Sequence, residues 1–518
     1  MKPQAFLVLL FLLFNLSLWA QNKPYFQQKV DYIIESTLYD STHTLEANMT
    51  ITYQNNAPDT LHEIWMHLWG NAFKDRKSAF CAQQLKTGDR SYYFAKKKDR
   101  GGISGLDFKT NGQKITWSIS EEHPDVAVLT LPKPLPPGGI ITISTPYTLK
   151  IPASFSRLGH VETSYQMTQW YPKPAVYDHK GWHAMPYLDM GEFYSEFGTF
   201  DVSITLPDNY VVGATGLLQT ESEILFLQKK EAETRARLYT NDKHVEAPFP
   251  PSSKTMKTIR YTAEHVHDFA WFADKRFMVM KDTAHLESGK SVDCWAMFPM
   301  TKESSPGKGQ SRYWEKGAFY VKRAVEFYSK HVGEYPYPQA TAVLSALSAG
   351  AGMEYPMITV IGNSSNAEAL DEVITHEVGH NWFYGVLATN ERDHPYLDEG
   401  FNTYYQARYM KEYYGRFGPA EMPKFLLNEK KQGSFMEIGY LLLARERQDT
   451  PPDTHSDEFN SLSYGLQVYM KTAMFLEWLE KSIGTAKFDV AMKDYYQKWQ
   501  FSHPYPEDVK AVFRENNL

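Results

Sequence analysis

The sequence predicts a multidomain α+β protein, an antiparallel β-rich N-terminal half followed by a mainly helical half. Two observations carry this. From about Tyr25 to Thr240, short runs alternate apolar with polar residues and are broken by turn signals. From Ala367 onward, apolar residues recur at helical spacing instead. A chain of 518 residues exceeds one core and suits two large domains or three small ones. With 42% hydrophobic and 15% aromatic residues it is packed rather than disordered.

The chain opens MKPQAFLVLLFLLFNLSLWAQNKP, with one lysine, an unbroken apolar run from Ala5 to Phe14, and the small residue Ala20 ahead of polar sequence. That is the pattern of a secretory signal over residues 1–20, so the protein is expected to be exported, periplasmic or secreted. The run falls short of the roughly 20 apolar residues of a spanning helix, and no stable membrane span is expected. No cysteine near Ala20 offers a lipid attachment point. The two cysteines, Cys81 and Cys294, either pair in an oxidising compartment or stay apart as buried thiols.

The β-rich half contains DYIIESTLYDSTHTLEANMTITYQNN, VAVLTLPKPLPPGGIITISTPYTL and FDVSITLPDNYVVGATG. Turns at Asp-Ser, Pro-Gly-Gly and Pro-Asp-Asn divide these into antiparallel strands. Past KHVEAPFPPSSK the character shifts, placing a boundary at 250/251 between domains of residues 21–250 and 251–518. RYWEKGAFYVKRAVEFYSKHV, Arg312 to Val332, is the first long helical pattern of the second half. A net charge of -7 gives no general attraction to nucleic acid, and the short basic run Lys96 to Lys98 with Arg100 does not reverse it. No repeat of fixed period and no low-complexity linker interrupts the chain.

The helical half contains VITHEVGHNWF, Val373 to Phe383. A step of four residues on a helix returns to nearly the same face, so His376 and His380 can point at one ion while Glu377 leans over an open coordination position. Zinc takes imidazole nitrogen at about 2.0 to 2.1 Å and needs a third protein ligand. Glu399, eighteen intervening residues after His380, falls early in the helical run HPYLDEGFNTYYQARYM, with Pro395 as a helix start.

HEVGH, eighteen residues and Glu399 within DEGFN, together with Trp382 and Phe383, resemble the HExxH-x18-E signature of the gluzincin zinc metallopeptidases of the aminopeptidase N and leukotriene hydrolase family. The resemblance extends upstream to AGAGMEYPMITV, where Ala351, Gly352, Met353 and Glu354 match a glycine-rich strand motif. Downstream, SYGLQVYMKTAMFLEWLE places Tyr469 at the family's transition-state tyrosine, with Met470 and Thr472 departing from the usual YEKGA and Lys471 retained. Tyr464 stands five residues before it, a spacing seen in the leukotriene hydrolase branch. A glutamine of the ammonium-binding site is implied near MTQWYPKPAVY, where Gln166 and Gln169 both qualify. The resemblance covers the chain from about Tyr25 and is strongest between Gly333 and Tyr404. It implies an N-terminal β-sandwich or saddle domain and a thermolysin-like catalytic domain with a small mixed sheet. Many members continue into a helical C-terminal domain, so here either the cleft is open or the sequence is a fragment.

On this reading one zinc per chain is held by His376, His380 and Glu399 and acidifies its water to a pKa of about 7. Glu377 is the general base, and Tyr469 donates to the oxyanion. Gly352 and its neighbours let a substrate backbone approach an edge strand, with Tyr464 in support. Glu354 meets the free α-ammonium of a peptide, which makes the enzyme an aminopeptidase. The rival readings are a zinc endopeptidase with an open cleft and a non-catalytic peptide-binding protein.

Overall fold

The first strands follow directly from their alternation. In KVDYIIESTLY, Lys29–Tyr39 (β1), Val30, Tyr32, Ile34, Ser36 and Leu38 are buried while their neighbours turn outward. The same holds for Thr44–Gln54 (β2), which pairs with β1 so that Leu45 lies opposite Leu38 and Met49 opposite Ile34. The computed structural model describes residues 25–238, 248–300, 313–345, 352–415, 440–441 and 443–518. The expected signal segment, residues 1–20, and Ala351 lie outside the described residues.

Ile140–Lys150 (β3), Gly198–Pro207 (β4) and Met256–Val266 (β5) join β1 and β2 in a nine-stranded sheet with the central order β5-β4-β1-β2-β3. Two four-stranded sheets accompany it, and their buried residues share one core with it. The N-terminal sheet is antiparallel as expected along this central order except at one seam, where β1 and β4 run parallel, Tyr32 opposite Phe200 through Thr37 opposite Thr205. A parallel pair needs a long connection, and most of the chain between Tyr39 and Gly198 supplies it. The strands read identically by alternation in either direction.

Strand pairing also shifts the division of the chain. β5 pairs with β4, and Trp271–Asp274 pairs with Ser164–Met167 and Val211–Ala214. The composition change read at 250/251 is therefore a loop ahead of the last strands of the N-terminal sheets. The second sheet starts at Phe277.

That sheet is small and mixed. Phe277–His285 (β6), Ser291–Pro299 (β7), Gln339–Leu344 (β8), Gly352–Tyr355 (β9) and Ile358–Ile361 (β10) lie in the order β6-β7-β8-β10-β9, with β7, β8 and β10 mutually parallel. The motif strand β9 is thus an edge strand. Gly317–His331 (α1) and Ala367–Gly379 (α2) pack on the sheet, Glu399–Tyr414 (α3) on α2, Thr472–Ile483 (α4) on α3, Thr485–Trp499 (α5) on α4 and Pro506–Glu515 (α6) on α5. No helix among the described residues is long and apolar enough to cross a membrane. Cys81 and Cys294 are both buried and free, each enclosed in its own part of the core, so they do not pair.

The parallel seam leaves no room for a side chain at its start. A Cβ on Gly198 would overlap the Val30 carbonyl, which is backbone and cannot rotate away. Gly198→Ala is expected to lower stability by about 1 to 3 kcal/mol, read as a lower midpoint in denaturant unfolding. An unchanged midpoint would show that the seam is loose.

Candidate metal centre

Asn366 starts α2: its side chain accepts from the backbone N–H groups of Glu368 and Ala369 at 3.0 and 2.9 Å. Leu370, Ile374 and Val378 recur at four-residue steps and bury one face of the helix. His376 and His380 share another. His380 caps the helix with φ -62° and ψ -15°, so its ring stays in helical phase. α3 crosses close by, and its Asn402 side chain donates to the His376 carbonyl at 2.7 Å. Pro395–Leu397 forms a short 3-10 turn, and Glu399 is the first residue of α3.

The result is a triangle of ligand atoms. His376 Nε2 lies 3.2 Å and His380 Nε2 3.3 Å from Glu399 Oε2, and the two Nε2 atoms are 3.1 Å apart. Ligands at about 2.0 to 2.1 Å around a tetrahedral zinc stand about 3.3 Å from one another. The outer nitrogens are already engaged: His376 Nδ1 donates to Gln406 Oε1 at 2.8 Å and His380 Nδ1 to Asp398 Oδ1 at 2.6 Å. That pattern directs both Nε2 lone pairs inward, at one another and at a carboxylate, which only a cation makes favourable. The residues present fit zinc.

The surrounding charge agrees. Burial works against a charged His380, but the carboxylates of Asp398, Glu354 and Glu399 hold its proton affinity well above the usual imidazole range. Burial likewise opposes ionisation of Glu399, yet His380 and His376 bring its carboxyl below the ordinary range. Glu377 is pushed well up by burial and then by the charge of Glu354. One of its oxygens, Oε2, has no partner.

Glu377 rests on the motif strand, where a Cβ on Gly352 would overlap its carboxylate. Glu354, on the same strand, is buried with Oε1 unpartnered and 3.9 Å from His380 Nδ1. Burial raises its pKa, His380 opposing and Glu399 adding to the shift. Between them Met353 accepts an N–H from Arg157 at its sulfur, 2.8 Å away. Tyr469 lies in a π-helical turn, Gly465–Lys471, a form frequent at functional sites. Its hydroxyl donates to Glu399 Oε1 and its ring stacks on His376 with centroids 6.0 Å apart.

The remaining sequence candidates lie further out. The Tyr464 hydroxyl donates to Glu192 Oε2 at 3.3 Å, and its ring meets that of Tyr469 edge-on. Gln166 is held by Ser154, Ser156 and Ser345. Gln169 accepts from the Tyr355 hydroxyl at 3.2 Å, next to Glu354 in sequence, and its Nε2 is buried without a partner.

Sequence reading missed several contributors. Asp398, beside Glu399, and Gln406, seven residues on along the same helix face, orient the two histidines, and that adjacency and spacing were signals in plain sight. Arg157 and Glu192, an ion pair at 2.7 Å reaching in from the N-terminal half, have no local signal. Burial raises Glu192 to about 7 against the pull of Arg157, with Glu399 and Glu354 adding. Glu391 accepts the Phe193 N–H at 2.8 Å and leaves its other oxygen, Oε1, unpartnered.

Comparison with known proteins converges on the same segment. Residues 320–517 match the peptidase family M1 domain. Among curated relatives, Aminopeptidase M1-B of Oryza sativa subsp. japonica is 23% identical over 194 residues, covering 35% of this chain and 21% of that protein. Leucine aminopeptidase 2 of Yarrowia lipolytica is 29% identical over 167 residues, covering 29% of this chain and 24% of that protein. The chain thus spans about a quarter of the length of these relatives. The fold is similar to that of an M1 zinc metallopeptidase from Deinococcus radiodurans, with a TM-score of 0.59 and 15% identity, covering 95% of this chain and 91% of that one. It is also similar to aminopeptidase A of Legionella pneumophila, with a TM-score of 0.59 and 13% identity over 96% of this chain and 48% of that one. Residues 320–517, which carry His376, Glu377, His380, Glu399 and Tyr469, thus match the peptidase family M1 domain, and the three candidate metal ligands fall within the matched segment.

Proposed function

We propose that the protein is a zinc-dependent aminopeptidase, binding one zinc per chain and releasing single residues from peptides with a free N-terminus. The observation that carries the reading is Glu354, a buried carboxylate with one oxygen unpartnered, on an edge strand beside the ligand triangle. Held by His376, His380 and Glu399, zinc supplies Lewis acidity and an acidified water. Glu377, with its free Oε2 and raised proton affinity, takes a proton and returns it to the leaving amine. The Tyr469 hydroxyl, already on the ligand carboxylate, is within the same cluster to donate to the oxyanion. β9 presents an unpaired strand edge for the substrate backbone, and Glu354 sets the register by meeting the α-ammonium. In support, a variant of the Deinococcus enzyme has been solved with a Tyr-ser-ala substrate bound.

Export belongs to this reading and rests on the apolar run from Ala5 to Phe14. N-terminal sequencing of the protein recovered from its native compartment is expected to begin just after Ala20; an intact Met1 would reject export by cleavage.

Gly352→Ala tests the placement of Glu377. The added methyl displaces the carboxylate without touching a zinc ligand. The expected outcome is one zinc per chain retained, by metal analysis, with turnover reduced about 100-fold, as a shift of order 1 Å in a proton-transfer group costs. Full activity in that variant would put the base elsewhere.

Glu354 decides between the exopeptidase and an endopeptidase. Glu354→Gln is expected to weaken kcat/KM on a free short peptide by about 2 to 4 kcal/mol. The N-acetylated version of the same peptide, which lacks the cation, is a poor substrate of both proteins and changes little. The two-by-two comparison reads out a coupling energy. Near-zero coupling, with both peptides cut equally fast, would favour the endopeptidase.

A further inference from the structure

Apart from the metal centre, the catalytic half holds an apolar pocket of about 580 Å³ between α3, α4 and α6. That volume lies within the range of small-molecule sites. Phe401 and Leu476 form buried wall, while Phe475 is 58% exposed at the opening, an unusual position for a large aromatic ring with no covering partner. On α6, Val509 and Phe513 are four residues apart and face inward, and Lys510 and Arg514, one step on, are both exposed and follow the same rise along the lip.

The other charged side chains on the lip already have partners. Lys471 pairs with Asp449, and Asp453 with His394 at 2.6 Å. Lys510 and Arg514 form no ion pair among the described residues, although both line the pocket. The charged side chains of the lip that form no ion pair are therefore both cations, and the interior is hydrocarbon. The one buried polar side-chain atom on the wall without a partner is the Thr472 hydroxyl, too little to satisfy the amides of an entering peptide backbone. An unbranched hydrocarbon tail brings no such requirement.

We propose that this pocket binds a medium- or long-chain aliphatic carboxylate, its tail among Phe401, Phe475, Val509 and Phe513 and its head on Lys510 and Arg514. The proposal is independent of the peptidase reading. The pocket nonetheless shares its wall with the functional turns, since Phe401 follows Glu399 by two residues and Thr472 follows Tyr469 by three.

Isothermal titration of the purified full chain with dodecanoate, below its micelle concentration, tests it. One saturable site is expected. Decanoate should bind at least tenfold more weakly, since two buried methylenes at about fourfold each, from ~0.8 kcal/mol per CH₂, are lost. Dodecyltrimethylammonium, with the same tail and the opposite charge, should also bind at least tenfold more weakly. Val509→Trp, which fills the pocket, and the double variant Lys510→Glu with Arg514→Glu, which changes only exposed side chains and keeps the fold, should each lose tenfold or more for dodecanoate. Absence of saturable binding by the unaltered protein overturns the proposal. So does binding that ignores the headgroup charge or survives the double variant, which is surface adsorption only.

Discussion

Four carboxylates, Glu354, Glu377, Asp398 and Glu399, are buried around two imidazoles, and most of the surrounding structure answers that concentration of charge. Like charges 4 Å apart repel by on the order of 4 kcal/mol even at an effective dielectric of about 20. Burial removes the water that would screen them. The protein answers with the donors available: His380 Nδ1–H donates to Asp398, and the Tyr469 hydroxyl donates to Glu399. It leaves one oxygen each of Glu354, Glu377 and Asp398 without a hydrogen bond. On the proposed function, a dication at the triangle and an ammonium at Glu354 would each offset part of this negative charge, which would tie the two sites into one electrostatic balance.

Holding the triangle requires helices closer than ordinary side chains allow. A Cβ on Gly379 would overlap Asn402 and Tyr328. Those two side chains are themselves joined, the Tyr328 hydroxyl donating to Asn402 Oδ1 at 2.8 Å, while the Asn402 Nδ2 amide donates to the His376 carbonyl. α1, α2 and α3 therefore meet at a polar knot directly behind the histidines. Farther along α2, Asp371 receives Tyr409 at 2.8 Å and Arg323, which fixes the N-terminal part of the helix against α1 and α3. The ligand geometry is a property of this packing rather than of a flexible loop.

The parts of the site legible in sequence were those set by local periodicity. His376 and His380 follow from a four-residue step, and Glu399 from its place at a helix start. Gln406 obeyed the same rule one face-repeat later and was passed over because glutamine carries no chemistry of its own. Arg157 was invisible for a different reason: it meets Met353 across 196 residues of sequence, and no local pattern encodes that approach. The parallel pairing of β1 with β4 was hidden likewise, because alternation fixes which face is buried and says nothing of strand direction. The early boundary at 250/251 came from treating a turn-rich stretch as a domain edge when two strands of the first half lay beyond it.

These long-range contacts give the N-terminal half a part in the site. Arg157 bonds the sulfur of Met353, its neighbour Glu354 lies beside the triangle, and Glu192, paired with Arg157, receives the hydroxyl of Tyr464. Phe193, one residue on, is fixed by Glu391 from the catalytic half. The motif strand β9 is thus held from one side by its own sheet and from the other by an arginine of the N-terminal half. Arg157 is matched by Glu192 and by the backbone carbonyls of Leu188 and Asp189, so it gives Glu354 no hydrogen bond and acts on it, like His380, only through its charge. Glu354 is thus a buried carboxylate positioned from both domains, with His380 3.9 Å away and no hydrogen bond to Oε1, which is the feature on which the aminopeptidase proposal rests.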